Sequence, residues 1–112
     1  MSKQIPFGII MRGQRDYMHS EVSNFIECAD GIEPLTLRED YECFLDNLLS
    51  GKISKSTMVN VGVLKVFQAD LDNRADIDYR EGHWDDDPHI VAGGKYFDKI
   101  SLKLKAHIDA SA

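Results

Sequence analysis

The chain has 112 residues, 43% of them hydrophobic and 29% charged, with 8 Gly and only 3 Pro. That length predicts one compact domain over residues 1–112, and the balance excludes a largely disordered chain. A net charge of −6 repels duplex nucleic acid, so direct binding to DNA or RNA is not expected.

Ile5 to Met11 reads as a first strand, with Pro6 near its start, where a missing ladder donor is tolerated. From Arg15 to about Ala29, the apolar residues Met18, Val22, Phe25, Ile26 and Ala29 recur at three- and four-residue spacing and predict a helix. Asp30-Gly31 ends it, glycine accepting the left-handed backbone that closes a helix. Thr36-Leu37-Arg38-Glu39 then has the form of a capping box. Leu37, Tyr41, Phe44, Leu45, Leu48 and Leu49 follow at helical spacing, with Gly51 closing the element. Two such amphipathic helices make a hairpin whose apolar stripes need each other or a sheet.

After Gly51 the period changes. Val59, Val61, Val63, Leu64, Val66 and Phe67 predict a buried strand, with a bulge where the apolar phase switches between Val63 and Leu64. A helix from Lys55 to Ala69, capped by Ser54, competes with that reading; Gly62 and the valines weigh against it. Asp70 to Arg74 carries turn chemistry. Ala75, Ile77 and Tyr79 alternate with Asp76, Asp78 and Arg80, the pattern of a half-buried strand.

Glu81 to Pro88 reads as a polar loop, His89-Ile90-Val91 as a short strand and Gly93-Gly94 as a turn. Last, Ile100, Leu102, Leu104, Ala106 and Ile108 alternate with Ser101, Lys103, Lys105 and His107 and predict a strand. Lys99, Lys103 and Lys105 would guard its edge against pairing. The expected fold is therefore α+β: a two-helix hairpin packed on a mostly antiparallel sheet, in the order β-α-α-β-β-β.

The longest apolar runs, such as Val61 to Leu64, fall far short of the ~20 residues that a membrane span needs. Residues Met1 to Pro6 lack the apolar stretch of a signal peptide, so a cytoplasmic location is expected and a membrane partner is not. Cys28 and Cys43 belong to no C-x-x-C pattern and read as small buried hydrophobes rather than a disulfide.

Charge is the feature that points toward function. Between Asp70 and Asp87 lie eight acids and two bases, a net of −6, while the remainder holds eleven of each. An EF-hand register starting at Asp70 places Arg74 where a ligand belongs and Ala75 where the turn needs glycine, which rules that loop out. His83, Asp85, Asp86, Asp87 and His89 offer a looser divalent-metal site, and a metal-binding protein or metal-dependent enzyme is the alternative reading. No nucleophile elbow, phosphate-binding glycine loop or zinc-protease motif is present, so neither catalysis nor a cofactor is the first expectation.

A strand bearing Asp76 and Asp78 on its outer face would hold them about 6.7 Å apart. Glu81, Asp85, Asp86 and Asp87 would extend that field, and Trp84 among them has the setting of an interface anchor. These seven residues form the expected partner-binding site. The expected function is an inhibitor or neutralising protein that docks an acidic face on a basic, nucleic-acid-handling target. Immunity proteins and phage anti-defence inhibitors, some of which mimic nucleic acid, are of this type. A homodimer through an uncovered sheet edge is a further expectation.

Overall fold

The structure, a computed structural model, describes residues 3–9, 22–85 and 88–111, with side chains described outside 78–93. In place of the expected α+β sheet fold, the described chain is mostly helical. Its elements are strand β1 (Gln4–Pro6), helix α1 (residues 22–27), a 3₁₀ turn (Ala29–Gly31) and helix α2 (Leu35–Leu49). Strand β2 (Met58–Asn60) follows, then the long helices α3 (Val61–Asp85) and α4 (Pro88–Ser111). β1 and β2 pair antiparallel with Ile5 opposite Val59, and no third strand joins them among the described residues.

The expected strand over Ile5–Met11 is strand only over Gln4–Pro6, with residues 10–11 outside the described residues, and the expected helix from Arg15 is described from residue 22 onward, residues 15–21 lying outside them. In α2, Tyr41, Phe44 and Leu45 are buried, and Gly51 takes φ +74 directly after the helix, as a closing glycine should. The capping box does not form: α2 starts two residues earlier, with Pro34 at the N-cap, and the Leu37 and Arg38 amides bond to the Pro34 carbonyl instead. Gly31 ends its 3₁₀ turn without left-handed backbone. Cys28 and Cys43 are free thiols but exposed, not buried.

The second half overturns four strand assignments and two turns. The predicted strand over Val59–Phe67 survives only as β2, after which Asn60 caps α3 by accepting a bond from the Gly62 amide at 2.7 Å. A Cβ on Gly62 would sit 3.1 Å from that Asn60 oxygen and 3.4 Å from Leu37, so the glycine that weighed against a helix lets the helix begin. The apparent bulge at Val63–Leu64 is two adjacent residues on one helical stripe: Val63, Leu64, Phe67, Leu71 and Ala75 are all buried. The turn at Asp70–Arg74 and the strand at Ala75–Arg80 lie within α3. So do residues 81–85 of the expected loop.

α4 absorbs His89–Val91, the Gly93-Gly94 turn and the whole of the last strand. Phe97, Ile100, Ser101, Leu104 and Ile108 face the core, whereas Leu102 is 61% exposed and Ala106 is exposed. Positions 100, 104 and 108 satisfy a two-residue and a four-residue repeat equally well. Leu102 and Ala106 fit only the two-residue repeat, and packing against α3 turns them outward.

The core joins every element. Phe7, Phe25, Phe44 and Phe67 come from four different segments, with ring centroids 5.1 Å apart for Phe44–Phe67, 5.7 Å for Phe7–Phe44 and 6.4 Å for Phe25–Phe67. α3 and α4 pack on each other more extensively than any other pair. Among the described residues, their buried polar side chain Ser101 is satisfied by Gln68, whose Nε2 donates to Ser101 Oγ at 2.9 Å. β1 is tied to the end of α4, where His107 Nε2 bonds the Pro6 carbonyl at 2.6 Å. The His107 ring occupies the space of a Cβ on Gly8, which at φ +79 is held to glycine twice over. No described helix is long and apolar enough to cross a membrane.

Candidate functional site

Of the seven expected contact residues, Asp76 is exposed on α3. Asp78, Glu81, Trp84 and Asp85 lie along the same helix, their side chains outside the described residues, and Asp86 and Asp87 fall outside the described residues altogether. The helix replaces the strand's row of carboxylates with a different arrangement. At about 100° per residue, positions 76 and 78 stand about 200° apart around the axis, whereas Asp72 and Asp76 share a side one turn apart. Both of the latter are exposed.

Asp70, the first acid of the window, is taken out of the surface. It lies half-buried against α2 and accepts a hydrogen bond from the hydroxyl of Tyr41, a side chain with 0% exposure. Burial raises the Asp70 carboxyl above the usual carboxylate range, and the Tyr41 bond offsets part of that rise. The Tyr41 hydroxyl is pushed far above its ordinary value, first by burial and then by the neighbouring carboxylate. It stays protonated and donates.

The α1–α2 region supplies acids that the single window passed over. Residues 16–50 hold nine acids and one base, a net of −8, and residues 70–87 add −6; the rest of the chain holds ten bases and two acids. The zero net charge outside the window is therefore a cancellation of opposed blocks. On α2, Glu39, Asp40 and Asp46 are exposed, and Arg38, the one base in the block, is engaged at 3.1 Å by both Asp30 and Glu42. Because α2 packs on α3 through Tyr41–Asp70, the acids of the first block that lie on α2 and those of the second that lie on α3 belong to neighbouring helices. Counting charge by element, instead of by one window, would have found this.

The opposite sign sits elsewhere. Lys95, Lys99, Lys103 and Lys105 are exposed on α4, and Lys52, Lys55 and Lys65 are exposed around β2. The expected metal loop is divided between the end of α3, the start of α4 and residues 86–87, outside the described side chains. Among the described residues no three His, Cys, Asp or Glu side chains gather into a cation site. Comparison with known proteins adds nothing to this geometry: no protein-family model, no curated protein and no solved structure matches the chain.

Proposed function

We propose that this protein acts by binding, presenting the acids of α2 and α3 to a basic, nucleic-acid-handling protein and neutralising it, in a cytoplasmic setting. The observation that carries this reading is the division of charge into blocks, with acids of both negative blocks on helices in contact with each other. Asp72 and Asp76 lie one turn apart on α3, with about 6 Å of axial rise between them, and Glu39, Asp40 and Asp46 are exposed on the neighbouring helix. Asp78, Glu81, Trp84, Asp85, Asp86 and Asp87 continue the field along the chain. Carboxylates grouped this way suit a surface rich in Lys and Arg, including one that otherwise holds a phosphate backbone. Such a surface contributes mainly fast, salt-sensitive association and partner choice.

The test compares the protein with two charge-reversed variants, one carrying Asp85, Asp86 and Asp87 changed to Lys and one carrying Glu39, Asp40 and Asp46 changed to Lys. Immobilised wild-type protein should retain a basic, nucleic-acid-handling protein at low salt and release it at high salt. Both variants should fold and bind that protein at least a hundredfold more weakly. Unchanged affinity in both variants removes the proposal.

A further inference from the structure

Among the described residues, the two-stranded sheet has one edge met by α4 at Pro6 and one that no element covers. Phe7 N–H bonds to the Thr57 carbonyl and Val61 N–H to the Lys3 carbonyl, which makes residues 3, 5 and 7 of the first arm and 57, 59 and 61 of the second the inward-bonding positions. Gln4, Pro6, Met58 and Asn60 therefore turn their backbone groups away from the ladder. On the β1 side, Pro6 has no N–H and its carbonyl is taken by His107, so α4 meets that edge at Pro6. On the β2 side, the Met58 N–H and carbonyl and the Asn60 N–H point outward. No described residue bonds the Met58 groups, and the Met58 side chain is 53% exposed.

We propose that the open edge of β2 receives an extended acidic strand from a partner protein, which adds a third strand to the sheet. The occupant follows from charge. From 47 to 69 the chain carries three lysines and no acid. Lys55 lies just before the strand, Lys52 at the end of the turn after α2 and Lys65 in the second turn of α3, all exposed. The same lysines repel a second copy of this edge, which rules against pairing of the protein with itself. Backbone bonds at Met58 supply register and the lysines supply selection for carboxylates, as in strand addition generally. The turn that presents the edge is fixed by its own side chains, with the Ser54 amide donating to Thr57 Oγ1 at 2.8 Å. This surface is separate from the acidic helices and does not depend on their role.

The probe is a fluorescent, end-capped hexapeptide alternating valine and glutamate, titrated against the full protein by anisotropy at low salt. Saturable binding is expected, with slowed exchange of the Met58 amide in the complex. Met58→Pro removes the outward donor while leaving the β1–β2 ladder intact, and it should weaken binding at least tenfold, as should joint reversal of Lys52 and Lys55 to Glu. A peptide N-methylated at alternate residues tests the same bonds from the other side, whether or not the proline variant folds, and should not bind. Absence of binding by the wild-type protein overturns the proposal. So does equal binding of the N-methylated peptide, which would reveal attraction without strand pairing, or a dimer by light scattering that the hexapeptide does not compete with.

Discussion

α3 places polar residues two positions apart against α4 and α2, and the two contacts differ in kind. Toward α4 it offers Gln68, which satisfies the buried Ser101 hydroxyl with a neutral hydrogen bond. Toward α2 it offers Asp70, an ionisable group whose carboxylate loses part of its water to accept from Tyr41. A neutral pair is indifferent to pH, while a half-buried carboxylate ties stability to it. The α2–α3 contact is therefore the pH-sensitive one, and it lies at the seam between the two acidic blocks.

The largest expected effect empties the aromatic centre of the core, outside that comparison of polar contacts. Phe67 has 0% exposure and rings from Phe7, Phe25 and Phe44 around it, so Phe67→Ala should cost about 3–5 kcal/mol in denaturant unfolding. A loss under 1 kcal/mol would mean that α3 is not the centre of the core. Ser101→Ala should cost about 1 kcal/mol and by the same amount at pH 5 and pH 8, since it leaves Gln68 without its partner but touches no charge.

Asp70→Asn has the smallest effect and a distinctive sign. The raised native carboxyl binds its proton more readily than the unfolded chain does, so its contribution to stability is complete below the unfolded value. That contribution is lost as pH rises through the native one. Asparagine keeps an oxygen for Tyr41 and removes the charge, so the variant should be more stable than wild type at pH 8, by less than about 1 kcal/mol because water screens the half-exposed group. The gain should vanish near pH 4. Thermal unfolding across that range is the measurement, and a variant less stable than wild type at every pH would place the value of Asp70 in its charge.

Where the sequence could be read depended on whether its apolar spacing admits one period or two. In α2, the sequence Leu37, Tyr41, Phe44, Leu45, Leu48 contains steps of three and one, which no alternating strand can place on a single face. The helix was legible there. From Ala75 to Tyr79 and from Ile100 to Ile108, every apolar residue stands at an even step from the last; the steps of four are shared by both structures, while the steps of two suit a strand alone. Residues that distinguish them were present, since Phe97 and Ser101 extend the α4 stripe at helical spacing, but a buried serine looks polar until its partner Gln68 is seen. The candidate site was legible as charge and not as shape: the acids of 70–87 were found, their strand geometry was not, and those of α2 were hidden by a net sum.

Residue order alone was enough for the composition of the acidic blocks, the closing of α2 at Gly51, the start of a strand around Ile5 and the absence of an EF-hand loop. Each of those rests on local chemistry: a charge, a missing Cβ, an absent glycine. Packing decided the rest. Val61, Val63 and Val66 favour a strand when counted singly, yet a long helix laid against α4 buries Leu64, Phe67 and Leu71 together, and that shared burial outweighs the modest helix penalty of each valine.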